Sequence, residues 1–304
     1  MRVVIVGLGV QGRKRRAVAG GDVVATVDPT IAEADHRRLS DIPADRYDAA
    51  LVCTPDGAKP ALIDELLERG KHVLVEKPLL ADEATLRRWS ARARVRKAVC
   101  YTAYNHRFEP HWARLAEVLA SGALGRVYHA RFFYGNGTAR LVRESAWRDQ
   151  GSGVIHDLGS HLLDACRFWF PDIGGGARLM AAHRFENRAP DHAVFVLDGP
   201  PYLEVELSLL SWRNHFTGDV FGERGSAHLS SLCKWGPTTL TLRTRVLPSG
   251  RPLEETDSLT QADPTWEAEY AHFKRLCAAG GPSGFDNDIW IGRTLDKLAH
   301  EAAA

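Results

Sequence analysis

The sequence has almost no net charge. Its 39 lysines and arginines face 38 aspartates and glutamates, giving a formal charge of +1 over 304 residues. Nucleic acid or an anionic lipid surface as main partner would demand a strong basic excess, so neither is expected. No stretch approaches the ~20 apolar residues of a membrane helix. The apolar run Val3 to Val6 behind Met1-Arg2 is too short for a secretory leader and runs into a glycine turn. Disulfide and zinc patterns are lacking too. Cys53, Cys100, Cys166, Cys233 and Cys277 are odd in number, scattered and without C-x-x-C spacing, which fits a reducing cytoplasm. The histidines show neither H-x-x-x-H nor H-E-x-x-H spacing, so no metal is expected. Internal repeats and low-complexity linkers are absent.

What is present suits a globular chain of about two domains. Apolar residues make up 44% and charged residues 25%, enough for a sizeable core. The basic runs Arg13 to Arg16 and Arg92 to Lys97 read as solvated helix faces. Short β-branched runs at 2–6, 23–27, 48–54, 73–75 and 98–101 alternate with helical patterns at 60–69 and 82–94. That alternation predicts a parallel sheet with helices on both faces, although the crossover over 29–47 should be poorly formed. From about residue 126 the texture changes. Strand patterns at 127–134, 179–185, 193–197, 202–210, 226–230 and 239–246 predict a mostly antiparallel sheet, with helices over 154–169, 264–278 and 287–302. The change of pattern sets a boundary after residue 107, giving domains 1–107 and 108–304.

Gly7-Leu8-Gly9-Val10-Gln11-Gly12 fits G-x-G-x-x-G directly after the first strand and before a helix. The first glycine makes the tight turn, the second lets backbone approach a pyrophosphate, and the third lets helix and strand pack closely. A helix N-terminus then offers free N–H groups to phosphate. Asp28 stands 21 residues after Gly7 at the end of the second strand, where an acidic residue accepts from ribose hydroxyls. A 2′-phosphate at about 4 Å from it would meet about 4 kcal/mol of repulsion at an effective dielectric of about 20. NAD(H) is therefore favoured. NADP(H) is the alternative, since Arg13 is within reach of the same pocket.

Five motifs then stand in order: the glycine turn, Cys53-Thr54-Pro55, Glu76-Lys77-Pro78, Tyr104-Asn105-His106-Arg107-Phe108, and Gly151-Ser152-Gly153-Val154-Ile155-His156-Asp157-Leu158-Gly159-Ser160-His161-Leu162-Leu163-Asp164. Together they resemble the glucose-fructose oxidoreductase, inositol dehydrogenase and rhizopine-catabolism (Gfo/Idh/MocA) family. The resemblance implies an α/β protein: an N-terminal Rossmann domain, doubly wound on a parallel sheet, followed by a C-terminal α/β domain with a large open, mostly antiparallel sheet. It implies an active site between the domains and a homodimer or homotetramer through that sheet, whose open face is expected to be apolar and in need of cover. Beside the glycine turn and Asp28, it adds Thr54, Pro55, Glu76, Lys77 and Asn105 to the cofactor side.

The family's E-K-P lysine matches Lys77, and the aspartate and histidine of its glycine signature match Asp157 and His161. The chemistry agrees. Oxidising a secondary alcohol needs a base for the hydroxyl proton, and reducing a ketone needs an acid; histidine, with an ordinary pKa of ~6.5, serves both. His161 lies four residues after Asp157, so a helix projects both from one face, where Asp157 would orient the imidazole or bind a hydroxyl. Lys77 would polarise or hold the reacting oxygen, aimed from the strand end by Pro78. Taken singly, each has a bland reading: a surface lysine, a helix N-terminal charge, a core histidine. Their order as a set favours the catalytic one.

Ser152 replaces the family's usual middle glycine, and His156 beside Asp157 is an uncommon polar neighbour that either lines the pocket or pairs with solvent. Trp147 and Arg148 stand before the glycine turn and are candidates to close over substrate, with Arg148 a candidate partner for a phosphate or carboxylate and a surface loop the competing reading. Asn105 is the better substrate candidate of its motif, and Arg107 the structural one. The expected function is an NAD(P)-dependent oxidoreductase moving hydride between nicotinamide and an alcohol or ketone of a sugar, cyclitol or nucleotide-sugar. The alternatives are a cofactor-binding redox sensor, disfavoured by the complete Lys77, Asp157 and His161 set, and an NAD-dependent glycoside-cleaving relative.

Overall fold

The computed structural model describes residues 1–145, 148–281 and 284–303. The chain divides into two units, Met1–Asn105 with Pro264–Gly292 and His106–Asp263 with Arg293–Ala304. The expected boundary after residue 107 falls beside the first junction. The helix expected near 264–278, however, folds with the first unit.

The first unit is a parallel sheet of β1 (Val3–Val6), β2 (Val23–Val27), β3 (Ala49–Val52), β4 (His72–Glu76) and β5 (Cys100–Ala103), in the order β2-β1-β3-β4-β5. Its strands are continuous apolar runs because both faces are covered. Alternate side chains go opposite ways. Val4, Val6, Ala50, Val52, Val73 and Val75 pack into one core with Ile63, Leu66 and Trp89 of α2 (Lys59–Glu68) and α3 (Glu83–Arg96). Val3, Ile5, Ala49, Leu51 and Leu74 pack into a second core with Ala19 of α1 (Val10–Ala19). Two 3-10 turns, Leu39–Asp41 and Ala44–Arg46, stand where the weak crossover over 29–47 was expected. At α3 the Asp82 carboxylate accepts from Thr85 N–H at 2.7 Å and caps the helix.

The second unit opens with α4 (Pro110–Ala120) and holds a mixed, mostly antiparallel sheet of β6 (Val127–Gly135), β7 (Ala177–His183), β8 (His192–Leu197), β9 (Tyr202–Ser208), β10 (His215–Gly222), β11 (Gly225–Ser230), β12 (Thr238–Thr244) and β13 (Leu253–Leu259). The order is β13-β12-β11-β10-β6-β9-β8-β7, and the β6–β9 pair is parallel. After β6 come α5 (Ala139–Arg143), α6 (Val154–Asp157) and α7 (Gly159–Trp169); α8 (Thr265–Ala279) and α9 (Asp286–Ala303) end the chain. The single helix expected over 154–169 is thus two, meeting at Leu158.

Among the described strands and α-helices, four escaped the sequence reading: the short α5, and β10, β13 and α4. Gly218 within β10 looks like a connection, yet a Cβ there would meet the Phe132 ring at 2.9 Å; glycine makes room for that ring. The acidic β13 is an exposed edge strand, and charge is what keeps an edge from pairing further. Helix α4 starts at Pro110 and buries His111, Trp112, Leu115 and Val118.

The open face of this sheet departs from the apolar surface expected. Across its strands Arg131 pairs with Asp219 at 2.8 Å, Asp219 with His228 at 2.6 Å, Arg243 with Glu254 at 2.6 Å and His192 with Glu206 at 3.1 Å. The opposite face carries the apolar side chains Ala130, Phe132, Tyr134 and Phe216; Phe132 stacks on Trp169, and Phe216 packs on Trp112 and Tyr134.

Candidate functional site

In the first unit, the C-terminal ends of five parallel strands bring the expected cofactor residues to one sheet edge. The three glycines have different reasons to be glycine. Gly7 has φ +91°, and a Cβ there would lie 2.6 Å from the Cys53 carbonyl oxygen. A Cβ on Gly12 would overlap the Gly7 carbonyl oxygen at 1.8 Å, so the helix could not seat against the turn. Gly9 would meet nothing within 4 Å. The space above it is open, as backbone approach by a pyrophosphate requires. Gly9, Val10 and Gln11 are exposed at the start of α1, where the first backbone N–H groups lack intrahelical partners. The Thr54 hydroxyl, after β3, is buried with no hydrogen-bond partner among the described residues. An open cradle, free N–H groups and an orphaned hydroxyl fit a dinucleotide. Pro55 beside it is exposed.

Asp28 is more engaged than its sequence position suggests. One carboxylate oxygen accepts from Leu8 N–H at 2.9 Å; the other accepts from Thr30 N–H and Ile31 N–H at 2.9 Å and from the Thr30 hydroxyl at 3.0 Å. Burial works to push this carboxyl up, but those bonds outweigh it and hold it at about 2. A carboxylate offers about four lone-pair sites, and the oxygen that meets Leu8 keeps one for a ribose hydroxyl. Arg13, considered for that pocket, donates to the Leu8 carbonyl at 3.2 Å.

Lys77 follows β4 in a turn gripped from both sides. The ammonium of Lys59, itself buried, donates to the carbonyls of Glu76 at 2.7 Å and Pro78 at 2.8 Å, and to the Asp56 carboxylate at 2.6 Å. The Glu76 carboxylate accepts from Arg15 at 2.8 Å. Arg15 therefore corrects the reading of its run as a solvated face. It is 1% exposed, stacks over Trp266 at 4.3 Å and also meets Glu269 of α8 at 2.6 Å. Burial, together with repulsion from Glu76 and against the pull of Arg15, pushes the Glu269 carboxyl up to about 7. Asn105, after β5, is buried and donates to the Thr265 hydroxyl at 2.8 Å.

In the second unit, Gly153 opens α6 with φ +50°, and a Cβ there would sit 2.2 Å from the Pro190 carbonyl oxygen. Asp157 pairs with Arg148 at 3.0 Å; Trp147 lies outside the described residues. Ser152 and His156, the two departures from the family pattern, hydrogen-bond to each other. Arg107 forms a two-pronged ion pair with Asp164 of α7.

His161 sits on α7, a helix buried nearly all round. Its Nδ1 lies 2.7 Å from Nδ1 of His106, and Nε2 of His106 lies 2.9 Å from Nζ of Lys234. Tyr134 stands edge-on to both rings, and Trp112 flanks His106. Burial, with the nearby Asp157 charge, pushes the Tyr134 phenol up, so it stays neutral. Neither His106 nor Lys234 was singled out from the sequence. His106 sits inside the Tyr104–Phe108 motif, where the sequence gives it no role, and Lys234 is a lone lysine on a turn, with no signal short of the fold. Lys59 was missed for the same reason.

Residues 1–104 match the model of an oxidoreductase family with an NAD-binding Rossmann fold, and residues 112–228 match the GFO/IDH/MocA C-terminal domain. Trans-1,2-dihydrobenzene-1,2-diol dehydrogenase of Bos taurus is 28% identical over 197 residues, 64% of this chain and 58% of that protein. Inositol 2-dehydrogenase 4 of Saccharopolyspora erythraea is 32% identical over 144 residues, 41% of this chain and 43% of that protein. The chain thus spans roughly half the length of these curated relatives. Levoglucosan dehydrogenase in complex with NADH has the same fold, with a TM-score of 0.86 at 17% identity over 100% of this chain and 97% of that one. So does an oxidoreductase from Agrobacterium radiobacter in complex with NAD+, L-tartaric acid and magnesium, with a TM-score of 0.81 at 18% identity over 100% and 96%. Two models of one family match the parallel-sheet region and the sheet domain in turn, and the chain belongs to the GFO/IDH/MocA oxidoreductase family.

Proposed function

We propose that this chain moves hydride between a nicotinamide dinucleotide and a secondary alcohol or ketone of a polyhydroxylated substrate: a sugar, cyclitol or nucleotide-sugar. The observation that carries the reading is the single sheet edge holding the glycine turn, Asp28, Thr54, Lys77 and Asn105, because open α/β sheets bind ligands at their C-terminal strand ends. Bound nicotinamide supplies or accepts the hydride. The rest falls to side chains. Lys77 contributes an ammonium that holds or polarises the reacting oxygen. His161 takes or gives the hydroxyl proton, and Asp157 with Arg148 binds substrate hydroxyls. NAD(H) is favoured over NADP(H), since the ionised Asp28 repels a 2′-phosphate. The relatives named for a dihydrobenzenediol, inositol and levoglucosan support a polyol substrate. The same reading takes the protein as a cytoplasmic homodimer or homotetramer joined through the open face of the second sheet.

The test is a fluorescence titration with NADH and NADPH, followed by NAD+ turnover of inositol, levoglucosan and trans-dihydrobenzenediol. Saturable binding, tighter for NADH, is expected. Lys77→Ala and His161→Ala should each stay folded, His161→Ala with a lowered melting temperature because it empties a buried site, and each should lose about a hundredfold or more in turnover. Folded protein that binds neither dinucleotide, or near-parental rates in both variants, sinks the reading.

A further inference from the structure

We propose that Lys234, His106 and His161 form a proton relay that holds His161 as a neutral imidazole protonated on Nε2, loaded to protonate a carbonyl oxygen. The proposal rests on the reading of His161 as the proton-transfer group.

The donor directions follow from one end. A lysine ammonium carries three N–H groups and no lone pair, so it can only donate. Facing Lys234 Nζ at 2.9 Å, Nε2 of His106 must present its lone pair. Neutral His106 then carries its proton on Nδ1. Two N–H groups cannot meet head to head at 2.7 Å, so Nδ1 of His161 accepts that proton's hydrogen bond. The one proton of neutral His161 is left on Nε2. A second proton on His161 would set N–H against N–H, so while Lys234 is charged the ring is an acid in neutral form.

The surroundings suit a relay. His106 and His161 are 3% and 9% exposed, and Trp112 and Tyr134 wall them. Lys234 is partly exposed and meets water. Its turn, Cys233–Trp235, is pinned to the start of α4: the Glu109 carboxylate accepts from Cys233 N–H and Sγ, each at 2.9 Å. Burial and Glu109 push the Cys233 thiol up to about 12, so it stays a thiol and keeps donating. His106 and Glu109 share one short segment, which fixes the lysine opposite the histidine.

In carbonyl reduction the substrate carbon gains hydride from the reduced nicotinamide, the carbonyl π pair moves to oxygen, and that oxygen takes the proton of His161 Nε2. His106 Nδ1–H passes to His161 Nδ1, and Lys234 gives a proton to His106 Nε2. One hydride and one proton are consumed. After product leaves, a proton from water restores the starting tautomers. Oxidation of an alcohol runs the same steps backwards, from the opposite tautomers with Lys234 as the free amine.

Long-range proton–nitrogen spectra of the full chain labelled with 15N-histidine read the tautomers without any substrate. His106→Asn and His161→Asn spectra assign the signals. We expect His106 protonated on Nδ1 and His161 on Nε2 at neutral pH. Lys234→Arg keeps a charged donor that does not release its proton, so it should preserve both tautomers yet lose at least about tenfold in kcat for carbonyl reduction, with KM and NADH binding unchanged. Lys234→Met should release the tautomer preference and lose similar activity. A purely structural lysine would be rescued by arginine. His106 protonated on Nε2, or parental kcat in Lys234→Arg, overturns the relay. If His161→Ala is inactive in that last case, the proposed function stands without it; an active His161→Ala overturns both.

Discussion

At the residue scale, the glycine turn separates binding from folding. Gly9 has negative φ and open space beside it, whereas Gly12 is packed against the Gly7 carbonyl. Gly9→Ala should therefore leave stability within about 1 kcal/mol of the parent while weakening NADH binding roughly tenfold or more, about 1.4 kcal/mol per decade. Gly12→Ala should cost about 1–3 kcal/mol through overpacking and lose binding with it. Thermal melts beside NADH titrations check both. Equal stability of the two variants, or undiminished binding by Gly9→Ala, would contradict this division. Asp28 shows the same economy. Its four hydrogen bonds tie the loop after β2 to the glycine turn, so the residue that would meet ribose also shapes the turn that would meet phosphate.

At the element scale, the turn between β4 and α3 depends on a side chain from α2. The ammonium of Lys59 spans the carbonyls on either side of Lys77. Lys59→Met keeps the buried stem and removes every donor. Bonds to charged groups are worth about 1.5–3 kcal/mol each, so the loss should be on the order of 3 kcal/mol. With the Lys77 turn loosened, kcat should fall about tenfold while NADH affinity changes little. Parental kcat in a folded Lys59→Met would show that Lys77 needs no such support. Helix α7 is a second case. Gly159 lets it press on Leu207 and Leu295, where a Cβ would lie at 3.2 and 3.5 Å, and Arg107 anchors it through Asp164. His161 is thereby carried on a fixed helix, with its ring held by His106.

At the scale of the whole molecule, a late helix completes an early sheet. Tyr270 and Phe273 of α8 pack into the core of Val3, Ile5, Leu51 and Leu74, and Glu269 meets Tyr101, 168 residues away, at 3.4 Å. Glu269 also gives the fold a pH dependence. Its unfolded value is about 4.3, and its folded value is raised to about 7. The folded state therefore binds the proton more tightly. The stabilising contribution is full below about pH 4.3 and is lost as pH rises through about 7, a swing of about 3–4 kcal/mol. Glu269→Gln removes that titration and should flatten the fall in melting temperature between pH 5 and pH 8. An unchanged slope in the variant would show that this carboxyl is ionised across the range.

Read along the chain, the apolar period of β1 to β5, the glycine turn and the ordered motifs were enough for the class of fold and the family, because each is a local pattern tied to a local geometry. The same holds for Lys77, Asp157 and His161 as candidates, since their motifs lie in continuous stretches. The partners of those residues were not legible. Lys59 grips the Lys77 turn across a helix and a strand, Glu269 reaches Arg15 from the far end of the chain, and Lys234 faces His106 from a turn 128 residues on. A lone lysine or glutamate carries no periodic signal, and its charge has the same look in a sequence whether it meets water or a buried carbonyl. Tertiary packing alone decides that difference, because only folding fixes which polar groups leave water and must find each other.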